Sequence, residues 1–277
     1  MSLARFLAVA VVVGTATGLS VGLVHLTRDT EVGPSPIEPQ LAGAARATSS
    51  SEPQSSADLN APYDGLYHFL RIRYSSAGRG FGRRGGSMWA HDYPRAETNF
   101  LSILKETTFV PALTDRTNVL TLDDPELFKF PIAYIVEVGY WNPSDAEVES
   151  LGAYLQKGGF LIVDDFRDRW TLNNLEVQLR RALPDANMVM VDETHAIFDS
   201  FFRVIPQDVI PPYGRGAPVW YGIYEDNDPT KRLMVIINYN NDIAEYWEFS
   251  GWGRFGIDLS NEAYKLGVNY VVYGLTH

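Results

Sequence analysis

From Tyr67 onward the chain alternates short apolar runs with amphipathic stretches. YHFLRIRY over Tyr67–Tyr74 predicts a strand, and Thr98–Thr107 a helix with Phe100, Leu101 and Leu104 on one face. Asn118–Leu122 predicts a short strand and PIAYIVEV over Pro131–Val138 a buried one. Ser144 with Glu147 three residues on has the spacing of a helix-capping box. Val148, Leu151, Ala153 and Leu155 follow at helical spacing, and Gly158-Gly159 ends the helix. Phe160–Val163 is another continuous apolar strand, closing on Asp164-Asp165; Leu172–Leu183 reads as helix and Asn187–Val191 as strand. This rhythm predicts a mainly parallel sheet with helices on both faces, whose ligands sit at the carboxyl ends of the strands. Val219–Tyr224 and Leu233–Asn238 then flank the turn residues 225–229, predicting an antiparallel hairpin. Ser260–Tyr273 predicts a closing helix, although its β-branched second half also suits a strand.

The first 61 residues follow a different pattern. Phe6–Leu26 contains no Asp, Glu, Lys or Arg. As a helix it is about 31 Å long, the thickness of a bilayer's hydrocarbon core. Arg5 and the N-terminal amine precede it and Arg28, Asp29 and Glu31 follow, a bias that predicts a single-pass anchor with its N-terminus in the cytoplasm and the rest periplasmic or extracellular. The alternative is a cleaved signal peptide, with Gly14 and Ala16 near the cut. Gly14, Gly18 and Gly22 share one helical face and suggest a homodimer contact within the membrane. Thr27–Ala61 has no aromatic residue and is rich in Pro, Ser and Ala, the composition of a disordered tether. The expected organisation is therefore anchor 1–26, tether 27–61 and an extracytoplasmic α/β domain 62–277.

Charge narrows the partners. The chain of 277 residues carries a net charge of −11, which argues against a nucleic-acid ligand. One segment departs from the average: six arginines and one acid lie between positions 71 and 95. Within its glycine-rich stretch, Arg79, Arg83 and Arg84 suit an anionic ligand or envelope partner, the alternative being a plain surface loop.

Chemistry has few candidates. There is no cysteine, so thiol nucleophiles and zinc–thiolate sites are excluded. No phosphate-binding glycine loop, GxSxG elbow or HExxH pair occurs. Four groupings remain. Trp89-Ala90-His91-Asp92-Tyr93-Pro94 joins an imidazole to a carboxylate, although Asp92 is also placed to cap the next helix. Asp164 and Asp165 end a buried strand, where carboxylates bind a divalent cation or serve as acid and base; being adjacent on a strand, only one faces a cleft. His195 follows the next strand, and a parallel sheet brings it to the same edge as Asp164. Asp242, in a polar run after the hairpin, is a further possible ligand or an ordinary turn residue. No cofactor is otherwise expected. The leading expectation is a binding or scaffolding domain; the alternative is a hydrolase using Asp164 or Asp165 with His195, with Asp92 orienting the imidazole and a divalent cation in attendance.

Several blocks taken together resemble the bacterial domain-of-unknown-function 4159 family: Phe69–Tyr74, Trp89 with Asp92-Tyr93-Pro94, Leu127–Pro131, Leu155–Asp165, His195–Phe198 and Leu266–Tyr273. The resemblance implies a flavodoxin-like α/β fold similar to class I glutamine amidotransferases. It carries no catalytic residue over. Where that group keeps its nucleophilic cysteine, the segment after Pro131–Val138 reads Gly139-Tyr140-Trp141-Asn142.

Overall fold

The computed structural model describes residues 60–76, 87–213 and 216–277. Phe6–Leu26, Gly14, Gly18, Gly22 and the arginines Arg79, Arg83 and Arg84 lie outside the described residues. No described helix is long and apolar enough to cross a membrane.

Seven strands form one sheet in the order β2-β1-β3-β4-β7-β6-β5. They are β1 (Leu70–Ile72), β2 (Asn118–Leu120), β3 (Ile132–Val136), β4 (Phe160–Phe166), β5 (Val189–Met190), β6 (Val219–Tyr224) and β7 (Leu233–Tyr239). Strands β2, β1, β3, β4 and β7 run parallel, and β6 pairs antiparallel with both β7 and β5. The expected mainly parallel sheet with a C-terminal antiparallel hairpin is therefore present. The 2-1-3-4 order is that of a doubly wound sheet, in which chain direction across the sheet reverses between β1 and β3.

All five residues of β3 and all seven of β4 are buried, as expected of strands covered on both faces. Side-chain alternation splits them between two cores. Ile132, Tyr134, Phe160 and Ile162 pack with α1 (Arg95–Thr107), α4 (Ile243–Phe249) and α5 (Ile257–Thr276). Ala133, Ile135, Leu161 and Val163 face α2 (Asp145–Gln156) and α3 (Arg169–Ala182). Each buried aliphatic side chain contributes about 1.5–3 kcal/mol of transfer free energy, and this three-layer arrangement buries both faces of every central strand.

Several boundaries moved. The predicted strand Tyr67–Tyr74 shrinks to Leu70–Ile72, with Tyr67 joined to Ala112 only by an isolated bridge. The predicted strand Asn187–Val191 keeps only Val189 and Met190, both exposed at the sheet's edge. The closing helix is longer than expected and helical throughout, because Val268 and Val271 are buried in the first core. Helix α4 was not anticipated at all. Its N-cap is Asp242, whose side chain accepts from the Glu245 amide and which closes the polar run that local pattern assigns to a turn.

Candidate functional site

The carboxyl ends of β1, β3, β4 and β7 converge on one cluster. After β1, a 3-10 turn over Met88–Ala90 delivers His91 and Asp92, with Met88 buried beneath it. Glu137 directly follows β3, β4 carries Asp165, and β7 leads to Asp242. One donor atom from each of His91, Asp92, Asp165 and Asp242 lies within 4.8 Å of all the others. Nδ1 of His91 is 2.6 Å from Asp165 Oδ2 and 3.5 Å from Asp92 Oδ1. The hydroxyl of Tyr213 donates toward both Asp165 Oδ1 and Asp242 Oδ2, the latter at 2.8 Å. It has a single proton, so it serves one carboxylate at a time. The guanidinium of Arg167 lies over the Tyr213 ring, 3.6 Å from its centroid.

The backbone is held in an unusual state here. Asp92, Glu137 and Asp165 all adopt positive φ, at 63°, 52° and 50°. Each such non-glycine residue costs about 1–2 kcal/mol, and strain of this kind gathers where the surrounding fold enforces a functional geometry. At Asp165 it coincides with a register shift in the pairing of β4 with β7 between Val163 and Phe166. The Asp165 side chain points into the cluster, toward His91 and Tyr213.

Arg71 supports the loop from below. It is completely buried on β1, pairs with the equally buried Glu97 of α1, and donates from one terminal nitrogen to the carbonyls of Trp89 at 3.0 Å and His91 at 2.9 Å. The basic segment counted from the sequence is thus partly an interior feature. Arg71 belongs to the core, and Arg95 pairs with Glu248 at 3.2 Å.

The electrostatics follow from crowding. Burial raises the Asp92 carboxyl, and Asp165 adds to this against the opposing charges of His91 and Arg71, leaving it at about 8. Glu137 is likewise carried to about 8 by burial and the neighbouring Asp165 charge. Asp242 is held well above the carboxylate range by burial with Asp165, Asp92 and Asp164 nearby. Burial alone lowers the His91 imidazole, but the hydrogen bond and charge of Asp165 outweigh it and lift it to about 9. Anions packed this densely away from water are neutralised either by protons or by a cation.

The residues expected from sequence divide. Asp92 and Asp165 meet in the cluster. Asp164 is turned to the opposite side of β4, as adjacency on a strand requires. Its oxygens receive Tyr134 Oη at 2.7 Å, Asn238 Nδ2 at 3.0 Å and the amides of Ile243 and Ala244 at 3.0 and 3.3 Å. It is fully buried, ties the start of α4 to the sheet and is not among the side chains that meet in the cluster. His195 is also placed apart from the cluster. After β5 the chain turns back along the sheet, and the His195 ring packs against Tyr224 and Tyr273 at 5.6 and 5.7 Å. Tyr224 ends β6 opposite the start of β7, and the Tyr273 hydroxyl accepts from the amide of Leu233, the first residue of β7. His195 therefore stands at the amino end of the sheet, the length of a strand away from Asp164 and Asp165. Its own Nδ1 caps a 3-10 turn by accepting from the Ile197 amide at 3.1 Å. Sequence reasoning noticed His91 and Asp242 without selecting them, and missed Glu137 and Tyr213 altogether. His91 alone carried a local signal, its adjacency to Asp92 ahead of a proline.

A groove of about 620 Å³ lies elsewhere, floored by Phe198, Val209 and Trp220, and shares no residue with the cluster.

Fold and site together define a doubly wound α/β protein with a buried imidazole–carboxylate centre at the carboxyl edge of its sheet. The chain belongs to the family described as a domain of unknown function, DUF4159, whose model matches residues 68–275. That span includes every residue of the centre, and it bears out the resemblance drawn from the sequence blocks. No curated protein matches the chain.

Proposed function

We propose that this domain is a divalent-cation-dependent hydrolase whose cation is held by His91, Asp92, Asp165 and Asp242. The observation that carries the reading is the convergence of these four side chains, from three separate stretches of chain, with donor atoms inside 4.8 Å. One imidazole nitrogen with three carboxylate oxygens suits Mn²⁺, Zn²⁺ or Fe²⁺. Such a cation would lower the pKa of a bound water toward neutrality and so would supply a hydroxide nucleophile near pH 7. Tyr213, hydrogen-bonded to two of the ligands, orients them. The hydrolytic alternative from the sequence thus goes ahead of the scaffolding one, with His91 as its imidazole in place of His195.

The same proposal keeps the expected location. The charge-free stretch Phe6–Leu26 supports a single-pass anchor, with the domain outside the cytoplasm on the 27–61 tether. The flavodoxin-like and amidotransferase-like kinship belongs to this reading too, supported by the strand order and by the family.

Thermal unfolding of chelator-treated protein tests it. Millimolar Mn²⁺ or Zn²⁺ should raise the melting temperature, since a ligand at 100 times its Kd adds about 2.7 kcal/mol to the folded state. Asp165→Asn should abolish the rise, and hydrolysis of ester substrates should appear only with cation. A wild-type protein that melts at the same temperature with and without these cations would overturn the proposal.

A further inference from the structure

We infer that the centre holds two divalent cations, with Asp92 as the ligand they share; the inference rests on the cation site proposed above. Beside the first group lies a second. Asp92, Glu245 and Glu248 also bring one oxygen each to within 4.8 Å of the others. Helix α4 supplies two of them. Glu245 and Glu248 are three residues apart and so share a face, and Asp242, three residues before Glu245, is the N-cap of that helix and a ligand of the first group. One short helix therefore serves both groups, and Asp92 stands between them.

A crowd of acids is not in itself a site. The independent observation is Asp92: its side chain is only 1% exposed, yet its Oδ2 has no hydrogen-bond partner. A buried carboxylate oxygen without a donor is unfavourable, and a bridging carboxylate is a geometry in which both oxygens are used. At the rim, Glu245 pairs with Arg254 at 2.9 Å and Glu248 with Arg95 at 3.2 Å. Both arginines are about half exposed and sit on long side chains, so they balance the glutamates from the solvent side.

The two positions differ in hardness. The first combines an imidazole with carboxylates; the second is all carboxylate and suits Mg²⁺, Mn²⁺ or Ca²⁺. Mn²⁺ fits both. Metals sharing a carboxylate sit about 3.5–4 Å apart, close enough for the electron spins of two Mn²⁺ ions to couple.

The test is titration of the full-length, chelator-treated protein with Mn²⁺, read by bound-metal analysis and by electron paramagnetic resonance. The expected result is two Mn²⁺ per chain with a spin-coupled spectrum. Glu245→Gln with Glu248→Gln should leave one Mn²⁺ with an uncoupled spectrum, and Asp92→Asn should remove the coupling. No variant is needed for the decisive arm. One equivalent of Zn²⁺ followed by Mn²⁺ on the wild-type protein should give one uncoupled Mn²⁺, with the zinc retained. One Mn²⁺ per wild-type chain, or two without coupling, would overturn the shared-ligand inference while leaving the single-cation function standing. No bound Mn²⁺ or Zn²⁺ at all would remove both.

Discussion

Asp164 and Asp165 are neighbours of one residue type on one strand, and burial with geometry gives them opposite tasks. Asp164 faces only donors, two of them backbone amides of α4. Burial carries its carboxyl up to about 6, with the Tyr134 and Asn238 hydrogen bonds holding it back from going further. Replacing it by asparagine turns an amide nitrogen toward one of those donors. Flipping Asn238 to compensate would strand the Tyr270 hydroxyl that donates to Asn238 Oδ1 at 2.7 Å. Asp164→Asn should therefore cost about 2–4 kcal/mol, the range for lost hydrogen bonds to a charged, buried group. Urea unfolding measures it, and the cation-induced rise in melting temperature should survive in the same variant. Asp165→Asn should show the reverse: a small stability change and no cation response. If Asp164→Asn abolished the cation response in a folded protein, Asp164 would belong to the centre after all.

At the scale of elements, the centre depends on a loop docked by a buried ion pair. Arg71 on β1 and Glu97 on α1 are both fully buried, and Arg71 reaches the carbonyls on either side of Ala90. Removing one partner of such a pair typically costs about 3–5 kcal/mol, because the other charge is left uncompensated. Glu97→Gln should lower stability by about that amount and weaken cation binding, since the guanidinium that holds the His91 carbonyl loses its anchor. A double variant, Arg71→Met with Glu97→Leu, separates the two effects. Apolar replacement of a buried pair is often neutral for stability, so unfolding free energy should recover while cation affinity does not. Recovery of both would show that the loop is positioned without Arg71. Helix packing imposes a related constraint at Gly152 of α2, where a Cβ would lie 2.4 Å from the carbonyl oxygen of Ala182 in α3.

Across the whole molecule, the two ends of the sheet do different things. The carboxyl end collects the acids, His91 and Tyr213, whereas the amino end gathers an aromatic cluster of His195, Tyr224, Tyr273 and His277. Burial, with the nearby His277 charge adding to it, pushes the His195 imidazole below its ordinary value of about 6.5. The folded state then prefers neutral His195. Its contribution to stability is complete above about pH 6.5 and is lost as pH falls through the lower folded value. His195→Asn keeps a side chain able to accept from the Ile197 amide. It should flatten the stability profile between about pH 7 and pH 5 and leave Mn²⁺ binding unchanged. A loss of cation binding in this variant would contradict the placement of the two ends.

What the sequence determined by itself is whatever local pattern carries. The continuous apolar run Pro131–Val138 and the apolar run closing on Asp164-Asp165 specify buried parallel strands, because both faces of such strands lie against helices. The Ser144–Glu147 capping box marks the start of α2 because that signal lies within four residues. The hairpin β6–β7 was legible from its turn, and the family from blocks spread along the chain. The choice of Asp165 came from its place at the end of a buried strand, and that of Asp92 from its place beside His91 ahead of a proline. Only the tertiary structure decided which side each acid faces. A one-residue step on a strand reverses a side chain, so Asp164 and Asp165 point to opposite sides of β4. It also decided that the chain doubles back after β5, which takes His195 to the far end, and that a helix starts directly after the polar run, where Asp164 receives its first amides. The centre joins positions 91, 165, 213 and 242, and no local pattern along the chain couples residues so far apart. Their proximity comes from strand order and burial, which are properties of the folded chain.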